Sequence, residues 1–142
     1  MAEITLAKAN KIINGAFAKA RELSLKPIAV VVLDAGGHVK AFQRQDGASM
    51  LRFEIASGKA YGSLAVGAGS RWLQNQANRA HFLEGLNGVS GGKIVPVPGA
   101  ALVKDKRGTI LGAVGISGDT SDNDEAAVVA GIEAAGFTAQ ID

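Results

Sequence analysis

IAVVVLDAGGHVKAFQR, residues 28–44, reads as two strands joined by a turn. IAVVVL, residues 28–33, is a continuous apolar run too short for a typical helix, as expected of a strand buried on both faces. DAGG then reverses the chain, because Gly36 and Gly37 accept positive φ at little cost. HVKAFQR alternates imperfectly, with Val39, Ala41 and Gln43 on one side and His38, Lys40, Phe42 and Arg44 on the other. That suits an antiparallel partner strand.

Upstream, Leu6, Ala9, Ile13, Ala16, Phe17, Ala20 and Leu23 recur at spacings of three and four. The spacing predicts an amphipathic helix over 5–24, capped by Thr5 and ended by Pro27. Downstream, QDGAS turns the chain, and Ser49 is placed to cap a helix running to about residue 66. Gly58 and Gly62 inside it point to close packing on the sheet. SRWLQNQANRAHFLEGL is polar and reads as a shorter helix plus loop. Pro96 and Pro98 confine NGVSGGKIVPVPGA to a loop or an edge. ALVKDKRGTILGAVGIS is a second hairpin, and DTSDNDEAAVVAGIEAAGF ends the chain as a helix capped by Asp or Asn. Strands arriving as hairpins rather than βαβ units predict an antiparallel sheet with helices packed on it.

The chain has 142 residues and is expected to form one domain, 1–142. Only 5% of residues are aromatic, so the core falls to Ala, Val, Ile and Leu. The absence of cysteine removes disulfides and thiolate chemistry and fits a reducing cytoplasm. A net charge of +2 without a basic run argues against nucleic acid as a partner. No apolar run reaches the roughly 18 residues of a membrane span. MAEITLAKANK, with Glu3 early and no apolar core, does not read as a leader peptide.

Several motifs fail on inspection. GVSGG, 88–92, matches the nucleophile-elbow string, but its flanks supply neither the strand before nor the helix after that the serine needs. SGGKI lacks the phosphate-loop glycine, since that position is Asn87. GAGS, 67–70, follows no strand, which rules out a dinucleotide fingerprint. DTSDNDE places Asp124 where a calcium loop needs glycine. Asp122, Asp124 and Glu125 are better read as negative charge at a helix N-terminus, with ligand binding as the competing role. His38 follows the Gly-Gly turn beside Asp34, and its strand leads to Arg44 and Asp46. His81 lies in a polar segment without metal-ligand spacing. Lys59 is either a snorkelling surface residue or a cation aimed at the glycine-rich loops to hold a carboxylate.

VVVLDAGGHVKAFQRQDGAS, IASGKAYGSLAVG and ILGAVGISGDTSDNDEAAVVAGI together resemble the GlcG/HbpS-like family, whose members also occur as the C-terminal domain of PduO-type proteins. The blocks stand in order over nearly the whole chain. Where the family carries a KA-TA pair, this chain has Lys59-Ala60-Tyr61-Gly62. The resemblance implies an α/β (α+β) fold with a central antiparallel sheet of about five strands flanked by helices, similar to profilin-like folds. It also implies a homo-oligomer and haem as the candidate cofactor, some members being described as haem-degrading. The residues it marks are His38, Arg44, Asp46, Lys59, Asp124 and Glu125.

Three readings of function remain open. In the first, a cleft floored by glycine-rich turns binds haem or a similar planar ligand, with His38 on the iron and Arg44 or Arg52 on the propionates. In the second, the chain is an enzyme or accessory factor for a small carboxylated metabolite in a catabolic pathway. There His38 or Asp46 moves a proton while Arg44 and Lys59 hold the carboxylate. In the third, it is an oligomeric scaffold without chemistry. The first two expect the turns to gather His38, Arg44, Asp46 and Lys59 at one rim of the sheet.

Overall fold

Thr5 starts the first helix as expected: its Oγ1 accepts from the Lys8 N–H at 3.2 Å. The helix, α1, runs Leu6–Glu22 and buries Ala9, Ile12, Ile13, Ala16 and Ala20. Leu6 and Leu23, expected on that face, are exposed because the helix ends overrun the core beneath. The computed structural model describes residues 3–142; Met1 and Ala2 of the N-terminal stretch lie outside the described residues.

The first hairpin forms β1 (Ala29–Asp34) and β2 (Val39–Arg44), paired antiparallel from Ala29 opposite Arg44 to Leu33 opposite Val39. The second forms β3 (Ala100–Lys104) and β4 (Ile110–Ser117). A short β5 (Thr138–Gln140) completes a five-stranded antiparallel sheet in the order β2-β1-β4-β3-β5. The residues alone indicated four of these strands.

β1 and β4 are central, which is why both read as nearly unbroken apolar runs. Val30 and Val32 point into one layer, packed by α1 and by α5 (Ser121–Ala134). Val31 and Leu33 point into the other, packed by α2 (Arg52–Val66). Burying each such side chain contributes roughly 1.5–3 kcal/mol, so the two-faced burial of β1 anchors the fold. The layers are thin where glycine permits. A Cβ on Gly115 would lie 2.0 Å from the Ala56 carbonyl oxygen, so α2 rides directly on β4.

Three local expectations are corrected. α2 begins at Arg52 without a side-chain cap, because the Ser49 carbonyl rather than its hydroxyl takes the Arg52 N–H. Gly58 and Gly62 face the 93–95 loop, not the sheet: added Cβ atoms would meet Val95 at 2.5 Å and Ile94 at 3.0 Å. The polar 70–90 region forms two helices, α3 (Ser70–Gln74) and α4 (Ala80–Ser90). GVSGG is therefore the end of a helix, the reverse of an elbow's strand-then-helix order, with Gly91 left-handed at φ 72° as its cap.

Candidate functional site

The DAGG and QDG turns cap opposite ends of one strand, so they do not share a rim. Six residue steps separate His38 from Arg44, about 20 Å at roughly 3.3 Å per residue. The expectation of one gathered rim is corrected on that ground. The marked residues divide between the two ends of the sheet, and a third region, absent from the sequence reading, lies between them.

At the β1–β2 turn, Asp34 Oδ1 accepts from the N–H groups of Gly36 at 2.9 Å and His38 at 3.0 Å. The His38 N–H is the main cause that holds the Asp34 carboxyl below its ordinary value. The imidazole lies 3.5 Å from the same oxygen and is 83% exposed. It lines an outer recess with Lys40 and Ile110. His81 is likewise exposed on α4, 3.9 Å from Glu84. Among the described residues, no group of three His, Cys, Asp or Glu side chains is placed to hold a metal ion.

The other end gathers charge. Lys59 reaches from α2 past the end of the sheet, donating to the Ile116 carbonyl at 2.8 Å and to Asp124 Oδ2 at 3.2 Å. Both side chains are sealed, 4% and 1% exposed. Burial pushes Lys59 down and Asp124 up, and each partner's charge opposes the shift of the other. Lys59 is thus neither a surface residue nor a free carboxylate clamp. Asp124 does not cap α5; Thr120 does, its Oγ1 accepting from the Asn123 N–H at 3.2 Å. Asp119 ties down the preceding loop through N–H groups of Lys26 and Thr120, each at 2.8 Å. Glu125 takes two hydrogen bonds from Arg71, at 2.9 and 3.1 Å, and Arg71 also grips Asp122. These two carboxylates raise the guanidinium further above its already high value. Arg71 carried no sequence signal. It arrives here because the buried Ser70 hydroxyl pins α3 to both the N–H and the carbonyl of Ala100.

Arg52 donates to the Ser117 hydroxyl at 3.1 Å. Register puts Arg44, Ala29 and Ser117 in one row across the sheet, so Arg44 stands about 10 Å from Ser117 by strand spacing. Arg44 and Asp46 are exposed and line a polar recess with Gln43 and Gln45. The structure therefore brings Arg44, Asp46, Arg52, Lys59, Asp124 and Glu125 to one end and leaves His38 at the other.

Between them lies an apolar cleft of about 440 Å³, within the roughly 300–1,000 Å³ of small-molecule sites. One wall is the outer face of α2, with Phe53, Ser57 and Tyr61; the second is the hairpin, with Leu33 and Val39; the third is the loop carrying Lys93 and Val95. Phe53 of the α2 wall meets Phe42 edge to face at 4.8 Å. Gly58 lets the loop lie against the helix, where the Val95 N–H donates to the Gly58 carbonyl at 3.2 Å. Lys93 holds its Nζ 5.6 Å from the Tyr61 ring centroid. The Ser57 hydroxyl is buried with no hydrogen-bond partner among the described residues. A bulge where Leu33 pairs with Val39 sets Val39 on the same face as Phe42, toward the cleft. Ala41 packs in the opposite layer, and His38 and Lys40 line the outer recess, so the alternation expected for 38–44 is corrected. The sole tyrosine of the chain and the lysine after Gly91-Gly92 were the available signals, and neither marks a cleft without the fold.

No helix among the described residues is long and apolar enough to cross a membrane. The family described as haem-degrading protein HbpS-like matches residues 4–133. An uncharacterized 15.0 kDa protein from the dhaT-dhaS intergenic region of Citrobacter freundii is 33% identical over 124 residues, 87% of this chain and 86% of that one. Among solved structures, a PduOC–haem complex superposes with a TM-score of 0.87 at 23% identity, covering 98% of this chain and 99% of that one, a likeness of fold. Klebsiella pneumoniae ORFY gives 0.85 at 25% identity, over 96% and 93% of the two chains. HbpS gives 0.81 at 25% identity, over 94% and 90%. With a sheet-and-helix body shared across nearly its full length and a family match from Ile4 to Glu133, the chain belongs to the HbpS-like family.

Proposed function

We propose that the chain binds a planar, largely apolar ligand bearing carboxylates, of the haem type, in the cleft between α2, the β1–β2 hairpin and the loop at Lys93. The observation that carries this reading is an apolar-walled cleft with a single cationic side chain, Lys93, at its rim. Haem suits those residues: Leu33, Val39, Phe53 and Val95 offer apolar contact to a macrocycle, and Lys93 offers a partner for a propionate. Haem, when bound, supplies a redox-active iron; the chain supplies walls, charge and exclusion of water. The family's description and the PduOC–haem complex support the choice of ligand class.

Titration of haemin into the purified chain tests this. A saturable Soret change in the wild type, abolished by Val39→Glu, is expected. Val39 is 52% exposed on an edge strand, so the substitution blocks the cleft without burdening the core. Equal binding by both proteins would remove the cleft from the account. His38→Ala, measured alongside, reads whether the imidazole holds iron from outside the cleft. Haem breakdown is scored in the same samples as loss of Soret absorbance when a reductant is added.

A second reading rests on the polar recess of Arg44 and Asp46, which offers a cation and a carboxylate to a small acid undergoing proton transfer. Thermal stabilisation by small carboxylic acids, lost in Arg44→Ala, would support it. Self-association is part of either reading: Met50 and Val89 are 84% and 88% exposed, and α4 buries none of its residues. Light scattering reads it directly. A cysteine-free chain of this kind suits the cytoplasm.

A further inference from the structure

We infer that the Tyr61 phenol is the iron ligand of the cleft. The inference rests on the haem-type reading above and adds the atom that would hold the metal. Haem iron is held in proteins by imidazole, thiolate, thioether or phenolate. The chain has no cysteine, neither histidine lines the cleft, and Met50 stands outside its lining. The side chains with donor atoms on its walls are Glu54, Ser57, Tyr61 and Lys93. Of these, the phenol is the one that belongs to that set.

Position agrees with chemistry. Tyr61 follows Ser57 by four residues and Glu54 by seven, so the three stand on one face of α2. The hairpin turn stands on one side of its ring, where a Cβ on Gly37 (φ 82°) would lie 3.8 Å from the ring. A Cβ there would meet the ring in ordinary van der Waals contact, so glycine is called for by the left-handed backbone rather than by space. On another side stands the Lys93 ammonium, 5.6 Å from the ring centroid. The Tyr61 hydroxyl makes no hydrogen bond among the described residues, so no bond within the chain must break before it coordinates. On coordination the phenol gives its proton to solvent as the iron–oxygen bond forms, with no change in oxidation state.

The test is absorption and electron paramagnetic resonance of the full chain titrated with haemin, comparing wild type, Tyr61→Phe and His38→Ala. The wild type should show high-spin ferric haem with a phenolate-to-iron charge-transfer band, unchanged in His38→Ala. Tyr61→Phe, a substitution that keeps the ring, should lose the band and bind haemin more weakly while remaining sensitive to Val39→Glu. A Tyr61→Phe spectrum identical to wild type, or loss of the wild-type spectrum in His38→Ala alone, would overturn the assignment and leave haem binding intact. Failure of the wild type to bind haemin would overturn the assignment and the cleft reading together.

Discussion

Lys59 and Tyr61 are two residues apart on α2, roughly 200° around the helix, and they meet opposite surroundings. Lys59 is sealed at the sheet end against Asp124, with its ammonium bonded to a carboxylate and a carbonyl. Tyr61 lines an open apolar cleft, and its hydroxyl makes no hydrogen bond among the described residues. The charged end is where sequence reasoning looked for function, yet its ions are mostly bonded to one another. The apolar side, with few charges, has the room. Charge density alone therefore locates the joints of this fold better than the surface proposed to bind.

The largest effect expected from breaking that contrast is at the buried pair. Lys59→Met should lower unfolding free energy by about 3–5 kcal/mol, because it strands the Asp124 carboxylate in an apolar setting. Lys59→Met with Asp124→Leu should recover most of the loss in urea denaturation, since both charges are then gone. A smaller loss, about 1–3 kcal/mol, is expected of Gly58→Ala, whose methyl must displace Val95. That variant should also weaken haemin binding, because Val95 is a cleft wall. Arg71→Ala should cost only about 1 kcal/mol, its ion pairs being partly solvated, and should leave haemin affinity unchanged.

The gentlest perturbation is acid. Asp119 is held below the ordinary carboxylate value of 3.8, chiefly by the Asn123 amide and then by the N–H groups of Thr120 and Lys26. Asp34 is shifted the same way by its turn. Both bind protons more weakly folded than unfolded. Their contribution is complete above 3.8 and is lost as pH falls through the folded values. Asp124, raised by burial, works in the opposite direction. Melting temperature should therefore fall below about pH 4, and Asp119→Asn should flatten that decline.

The hairpins were legible because their signals are local: a buried strand is an unbroken apolar run, and DAGG needs no distant partner to turn. β5 was not, since three residues with no apolar pattern become a strand only by pairing with β3. α4 was half hidden by Gly85 and Gly88, which weaken helical pattern. Lys59 was singled out as a snorkelling surface residue or a carboxylate clamp, but its partner lies 65 positions away, so its role as an internal tie could not be read. The separation of His38 from Arg44 was already implicit, because both flank one strand. The cleft is built from three segments, 33–39, 51–61 and 92–95, whose meeting depends on α2 lying across the sheet.

Haemin affinity of Val39→Glu set beside that of Arg44→Ala tests the account most directly. The cleft account predicts that Val39→Glu abolishes binding while Arg44→Ala binds as the wild type does. Binding retained in Val39→Glu and lost in Arg44→Ala would place the ligand at the charged end and contradict it.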